Sequence, residues 1–176
     1  MGHHRAASAA GLAALALACG AGPSAAATPG TPVARCAAKD LAASVRAIDA
    51  GAGNRYAALV LTNTSRTACT TRGYVGLQLT GPDGAKVPTR VVRDTSQAAA
   101  DLTVAPGGRI WARLHWGAVP SGSEPVTGPC EPTARTVRVI PPDRHDAVTA
   151  PWTAGAVCAG GRIDGLPLAP GAGPSS

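Results

Sequence analysis

The sequence predicts an all-β protein, namely an antiparallel, immunoglobulin-like β-sandwich of about seven short strands held together by disulfide bonds. Several segments alternate apolar and polar residues with a period of two, and turn-forming residues separate them. The chain has 176 residues, of which 22 are glycine and 16 are proline, and this composition disfavours long helices. Because there is no phenylalanine, Val, Leu, Ile and three Trp must form the core. Such a thin core benefits from covalent cross-links.

Residues 1–18 are predicted to be a signal peptide. A short positive segment ends at Arg5, and the apolar run that follows to Ala18 is about ten residues long, which suits a signal peptide and is too short to span a bilayer. Two processing routes remain open. Cys19 follows the run where a bacterial lipoprotein has its lipidated cysteine, whereas the alanines at 25–27 offer a signal-peptidase site. Five cysteines leave one unpaired, and because Cys19 lies outside the folded region, parity favours lipidation.

Two further segments are predicted to lie outside the fold. Residues 19–35 consist mainly of Ala, Gly, Pro and Thr, which is typical of a flexible tether. The sandwich domain is expected over residues 36–166. The Pro-, Gly- and Ser-rich residues 167–176 are expected to form a disordered tail.

The first half of the domain is predicted to form strands joined by tight turns. Residues 41–48 suit a strand, although their alanines would also suit a helix, and a turn with two glycines follows. Both faces of residues 55–62 are fairly apolar, as expected for a central sandwich strand. Residues 74–80 form the next predicted strand, which continues through a Gly-Pro-Asp-Gly turn into a strand at residues 87–93.

The second half of the domain is predicted to continue in the same way. Residues 102–104 lead through a turn into residues 109–116, which alternate cleanly. In this strand the predicted inward residues are Ile110, Ala112, Leu114 and Trp116, and the predicted outward residues are Trp111, Arg113 and His115. A long loop then leads to a strand at residues 135–140, where Val137 and either Val139 or Ile140 face inward. Residues 147–152 form the last predicted strand.

The cysteine positions predict which pairs form disulfides. In an antiparallel hairpin the position numbers of opposed residues have a constant sum. Cys36 and Cys69 are almost symmetric about the glycine-containing turn near residue 51, and Cys130 and Cys158 are almost symmetric about the turn at residues 142–145. We therefore expect the pairs Cys36–Cys69 and Cys130–Cys158.

Several stretches of the chain resemble one known family. They are LVLTNTSRTACTTRGY over residues 59–74, LTVAPG over residues 102–107, a Trp-containing strand and VIPPD over residues 139–143, together with Cys36, Cys130 and Cys158. Over about residues 36–160 the chain resembles the actinobacterial exported domain called domain of unknown function 4232. The family usually has proline where this chain has Val75. The resemblance implies a secreted protein or lipoprotein with a single β-sandwich domain, and it implies no catalytic residues.

Motifs of several enzyme and cofactor classes are missing from the sequence. His115, His145 and Asp146 are candidate members of a hydrolase triad, but no serine lies in a G-x-S-x-G motif. There is no C-x-x-C pair for zinc, the single Met is the initiator, and no Gly-rich phosphate loop occurs. We therefore expect no catalytic residue, metal or cofactor, and a non-catalytic binding or structural module. The alternative is an extracytoplasmic hydrolase with an unrecognised site.

The charge pattern and the aromatic residues bear on binding partners. The net charge is +6, but the arginines are scattered singly without a basic run, so nucleic acid is not expected. The domain is expected on the outer face of the cell membrane, as a lipoprotein, or in secreted form. Its expected partner there is anionic cell-wall or membrane-surface material, or another envelope protein. Trp111, Trp152 and Tyr74 would form a binding surface if they share one exposed patch. If they are buried, a structural role is favoured.

Overall fold

The structure is a computed structural model that describes residues 1–2 and 32–174. Most of the predicted signal peptide, the predicted lipidation site Cys19, the predicted tether up to residue 31 and residues 175–176 lie outside the described residues. In the part of the chain that is described, no helix has the length and apolar character needed to cross a membrane.

Strands dominate the described chain. There are eleven of them: β1 (Leu41–Gly51), β2 (Asn54–Asn63), β3 (Cys69–Thr71), β4 (Gly76–Thr80), β5 (Arg90–Arg93), β6 (Leu102–Val104), β7 (Arg109–Gly117), β8 (Thr136–Ile140), β9 (Val148–Pro151), β10 (Arg162–Gly165) and β11 (Ala169–Pro170). A 3-10 turn at Ala38–Asp40 precedes β1, and a four-residue helical turn, α1 (Cys158–Gly161), precedes β10. The predicted all-β class is confirmed, with more strands than the sequence pattern indicated.

The strands form one large sheet and two small ones. The large sheet has the order β1-β2-β7-β10-β5, with β11 also paired to β7. The small sheets have the orders β4-β8-β9 and β3-β6. All pairs are antiparallel except β10 with β5, which is parallel. This parallel pair makes the large sheet a mixed one within an otherwise antiparallel arrangement.

The core lies between the large sheet and the β4-β8-β9 sheet. The inward residues of β7 follow the predicted alternation, since Ile110, Ala112, Leu114 and Trp116 are buried. From the opposite sheet Val137 and Val139 are completely buried, which settles the choice between Val139 and Ile140 in favour of Val139. The two sheets are packed together by large side chains, among them Trp116 and Trp152, whose ring centroids are 5.2 Å apart.

Both predicted disulfides are present. Cys36 is bonded to Cys69 with a Cα–Cα distance of 4.9 Å, and Cys130 is bonded to Cys158 with a Cα–Cα distance of 5.5 Å. The β1–β2 register supports the symmetry argument, since Leu41 opposes Asn63 and Gly51 opposes Asn54. The first disulfide joins the chain ahead of β1 to β3, and the second joins the long loop after β7 to α1.

The predicted hairpin of residues 74–93 is largely wrong. After the turn, a single bridge joins Thr80 to Lys86, and the Val87 N–H donates to the Leu79 carbonyl at 3.0 Å. The chain then leaves β4 and enters the large sheet as β5, beside β10. Pro88 has no backbone N–H, and this stops the hairpin ladder after one step.

The prediction of a disordered tail from residue 167 is also wrong for the residues that the structure describes. Leu168 is buried in the core, and β11 pairs with Trp111 and Ile110 of β7. The chain remains bonded to the domain as far as Pro174, whose carbonyl accepts a hydrogen bond from Arg46. Composition suggested disorder, but the buried Leu168, the pairing with β7 and the hydrogen bonds from Arg46 hold this segment against the domain.

Candidate binding surface

The structure does not bring the three predicted aromatic residues together. Trp152 is only 4 % exposed and its indole N–H donates to the Gly155 carbonyl at 2.7 Å, so it belongs to the core and not to a surface. Tyr74 is half-buried beside β5, where its hydroxyl donates to the Asp94 carbonyl at 3.2 Å. Trp111 is half-buried on the outward side of β7. Of the three residues, Trp111 alone lies on the large, outward-facing side of the main sheet.

The outward-facing side of the large sheet, called here the outer face, is rich in arginine. Strand alternation and register place side chains of all five strands on it. Its charged residues are Arg46, Arg90, Arg109, Arg113, Arg162, Asp49 and Asp164, and Asp94, directly after β5, lies close to Arg113 and His115. Arginine therefore exceeds aspartate on this face, and the local positive charge is larger than the scattered sequence positions suggest.

His115 is the centre of an aromatic and polar cluster on the outer face. Its ring stacks on Tyr56 with centroids 4.7 Å apart, and the Arg113 guanidinium lies 5.8 Å from the Tyr56 ring centre. The Nε2 atom is 2.8 Å from the Asn54 side-chain oxygen, and Nδ1 is 3.7 Å from an Asp164 carboxylate oxygen. One ring nitrogen therefore faces an amide and the other faces a carboxylate. A histidine that acts as the base of a hydrolase must instead face a hydroxyl or thiol nucleophile.

Asp164 has a second partner beside the histidine. The Arg162 guanidinium donates to it with two nitrogens, at 2.6 and 3.1 Å. This hydrogen bonding and the nearby carboxylate raise the pKa of Arg162. Arg162 is thus already paired inside the chain, in contrast to Arg90 and Arg109, for which no ion pair occurs among the described residues.

The end of the chain crosses the outer face and creates a narrow groove. Ala58 and Val60 occupy outward positions of β2, yet they are 0 % and 7 % exposed. Gly173 lies above them, against Trp111. An open cleft of ≈ 550 Å³ beside it is lined by Ser44, Arg46, Val60, Thr62, Arg109, Ala172 and Gly173.

The other hydrolase candidates lie elsewhere, where His145 is exposed and Asp146 is hydrogen-bonded within the fold. His145 and Asp146 are in the turn region between β8 and β9. One Asp146 oxygen accepts the Ala38 N–H at 2.9 Å and the other accepts Arg144 at 3.2 Å. His115 is on the outer face of the large sheet, so the three candidates do not form one cluster.

A pair of glutamates lies next to the second disulfide. Glu124 accepts the Gly160 N–H at 2.9 Å and the Ser121 N–H at 2.7 Å, and these bonds lower its pKa. Burial, together with the charge of Glu124, raises the pKa of Glu131. Glu124 and the sulfurs of Cys130 and Cys158 are close enough to share a metal ion. Because the two sulfurs are bonded to each other, they are not thiolate ligands, and the group does not form a metal site.

Sequence patterns could have found part of the outer face. The alternation of residues 41–48 and 55–62 puts Arg46 and Tyr56 on the outward side, beside the predicted outward residues Trp111, Arg113 and His115. No local signal indicated that residues 171–174 cover Ala58, because that contact depends on the path of the chain after β11.

Comparisons with known proteins identify a family. Searches of curated proteins and of solved structures find no match. The model of a family described as "Domain of unknown function (DUF4232)" matches residues 36–168, which include both disulfides and all strands from β1 to β10. Since this match covers most of the chain, the protein belongs to the DUF4232 family.

Proposed function

We propose that the protein is an exported, lipid-anchored and non-catalytic binding module of the actinobacterial cell envelope. In this proposal, the outer face of the large sheet binds anionic material of the cell wall or the membrane surface. The signal-like residues 1–18 and the unpaired Cys19 support export and anchoring. The two disulfides are typical of proteins that fold in an oxidising compartment.

The single observation behind the binding role is the charge of the outer face. Five arginines and three aspartates, one of them Asp94 directly after β5, lie there, next to Trp111 and Tyr56. Arg90 and Arg109 are exposed and have no acidic partner in the described part of the chain. The planar guanidinium group of arginine can donate two parallel hydrogen bonds to a phosphate or carboxylate group. Each exposed contact contributes less than about 1 kcal/mol, so binding requires several contacts at once.

Charge reversal on the outer face tests the binding role. We expect R90E/R109E to lower binding several-fold, measured by co-sedimentation with purified cell wall and, separately, with anionic lipid vesicles. These two assays distinguish wall polymer from lipid headgroups as the source of the anionic groups. The matched control is R66E/R138E, which makes the same charge change at two exposed arginines, neither of which lies in a strand of the large sheet.

Salt dependence gives a second readout of the same proposal. Binding should fall steeply between low salt and about 0.5 M NaCl, because the screening length shortens from roughly 30 Å to a few Å. Equal loss of binding in R90E/R109E and R66E/R138E would show that no particular face is used. Retention that does not depend on salt would indicate an apolar protein interface and contradict the proposal.

Intact-mass analysis of the membrane fraction tests the anchor. We expect the mature chain to begin at Cys19 with added lipid mass, because this cysteine follows the apolar run and has no partner in the predicted disulfides. A soluble mature chain that begins at Thr28 would contradict lipid anchoring.

A hydrolase is the second candidate, because the His115–Asp164 contact resembles a base with its orienting acid. Turnover of a peptide, ester or glycan substrate that H115A abolishes, while the fold is retained, would replace the non-catalytic proposal. The position of the Asn54 amide at Nε2 argues against this alternative.

A further inference from the structure

The last described residues make specific contacts with the outer face. After β11, the Gly171 N–H donates to the Arg109 carbonyl at 2.9 Å, and the chain turns back across the sheet. At Gly173, an added Cβ would lie 2.7 Å from a ring atom of Trp111 and 3.2 Å from Cβ of Ala58. Glycine at this position therefore allows the backbone to lie directly on the indole.

Arg46 binds the same segment through its carbonyl groups. Its Nη1 donates to the Pro174 carbonyl at 2.7 Å, and its Nη2 donates to the Ala172 carbonyl at 3.1 Å. Gly173 stands between these two residues, so one guanidinium spans a Gly-Pro dipeptide while Trp111 supports the glycine. We call this arrangement of Arg46, Ala58, Val60 and Trp111 the tail groove.

The sequence contains the segment in the tail groove twice. Residues 171–175 are Gly-Ala-Gly-Pro-Ser, and residues 20–24 have the identical sequence, directly after Cys19. The contacts seen at residues 171–174 use the glycine Cα and main-chain carbonyl groups, and the sequence of residues 20–23 contains the same groups in the same order. Gly22 corresponds to Gly173, and Ala21 and Pro23 correspond to the residues whose carbonyls bind Arg46.

We infer that residues 20–24 bind the tail groove in exchange with residues 171–174. The inference rests on the lipoprotein part of the proposed function, since cleavage before Thr28 would remove residues 20–24, and it does not depend on binding to anionic material. Five extended residues span at most about 18 Å. Docking of residues 20–24 therefore holds the outer face, with its arginines, close to the lipid on Cys19 and so to the membrane surface.

Single and double substitutions in the mature chain test the exchange. The chain begins at residue 19 and carries C19S, and the readout is acrylamide quenching of tryptophan fluorescence. Trp116 and Trp152 are 1 % and 4 % exposed, so quenching reports mainly on Trp111, and W111F identifies its share. Leucine in place of either glycine prevents the close approach to Trp111. We expect G22L and G173L alone to leave Trp111 protected and G22L/G173L to increase its quenching several-fold.

A peptide gives an independent measurement on the same variants. A synthetic peptide of residues 20–30 should restore protection of Trp111 in G22L/G173L, and the same peptide with Gly22→Leu should not. Circular dichroism checks that each variant is folded. If G173L alone exposes Trp111 as much as G22L/G173L and the peptide restores nothing, the inference is wrong.

The dependence on protein concentration distinguishes two forms of docking. In G173L, protection of Trp111 that is unchanged on dilution means that residues 20–24 bind the groove of their own chain. Protection that is lost on dilution means that they bind the groove of a neighbouring copy, since only that association depends on concentration. Either result supports the exchange.

Discussion

At the scale of single residues, Gly161 allows two strands of the large sheet to approach each other. Ala159, Gly160 and Gly161 have φ values of 56°, 64° and 73°, so the chain makes a left-handed turn directly after Cys158. An added Cβ at Gly161 would overlap the carbonyl oxygen of Pro88. Pro88 precedes β5 and Gly161 precedes β10, so this contact lies where the parallel pair begins.

Replacement of Gly161 by alanine should destabilise the fold more than the same change at Gly155. Both glycines have positive φ, and the resulting cost of about 1–2 kcal/mol for a non-glycine residue is common to both variants. Gly155 has open space around its missing Cβ, so G155A is the matched control. The collision with Pro88 should add about 1–3 kcal/mol to the cost of G161A. Urea unfolding measures the difference, and equal costs would contradict the predicted collision.

Glu124 should make the stability of the domain depend on pH in the acid range. Its hydrogen bonds from Gly160 and Ser121 lower its pKa below the ordinary value of 4.5. The carboxylate therefore stabilises the folded state fully above the unfolded pKa, and this contribution is lost as pH falls through the lower folded pKa. We expect E124Q to lower the melting temperature at pH 7 and to match the wild type near pH 2.

The neighbouring glutamate should behave in the opposite way. Burial and the charge of Glu124 raise the pKa of Glu131, so its contribution to stability is greatest below the unfolded pKa and falls as pH rises. E131Q removes the unfavourable charge and should raise the melting temperature at pH 7 relative to wild type. A decrease at pH 7 in E131Q, or no effect of E124Q at any pH, would contradict the assigned shifts.

At the scale of elements, the two disulfides fix segments that form little regular structure. Cys36 lies ahead of β1, and Cys130 lies in the long loop after β7, where turns and bends replace strands. The sequence separations of 33 and 28 residues are similar. Each bond therefore restricts the unfolded chain to a similar extent.

Removal of either disulfide should cost a similar free energy of unfolding. We expect C36S/C69S and C130S/C158S each to lose about 3–4 kcal/mol in urea unfolding, from the loop-closure entropy alone. Peptide mapping of the unchanged chain without reduction provides the control, and it should recover both bonds, Cys36–Cys69 and Cys130–Cys158. A peptide that joins Cys36 to Cys130 or Cys158 would contradict the pairing.

At the scale of the whole molecule, a thin core makes stability depend on both disulfides together. The core contains alanine at several central positions, such as Ala57 and Ala112, and its largest fully buried side chain is that of Trp116. The free energy of unfolding of a domain of this size is typically about 5–15 kcal/mol. Breaking both disulfides removes about half of this free energy or more.

Full reduction should therefore destabilise the molecule strongly. We expect the chain treated with dithiothreitol to have a melting temperature lower by many degrees and a urea midpoint reduced by about half or more, measured by circular dichroism. The matched control is the oxidised chain under the same buffer conditions. A reduced chain that keeps the melting temperature of the oxidised one would contradict the view that the core is thin.

The sequence by itself determined the features that depend on local pattern. Alternation identified β7 and its inward residues, from Ile110 to Trp116, because strand neighbours point to opposite faces. The apolar character of both faces placed β2 in the interior of a sheet, and the structure has it between β1 and β7. Hairpin symmetry predicted both disulfides, because an antiparallel register relates position numbers directly.

The tertiary structure alone decided which segments meet. β10 has a single large apolar residue, Ile163, and its four residues form a strand only because the edges of β7 and β5 are vacant on either side. The burial of Trp152, the order of residues 167–174 and the grouping of five arginines on one face likewise arise from contacts between residues distant in sequence. Such contacts depend on the path of the whole chain, and no local periodicity records that path.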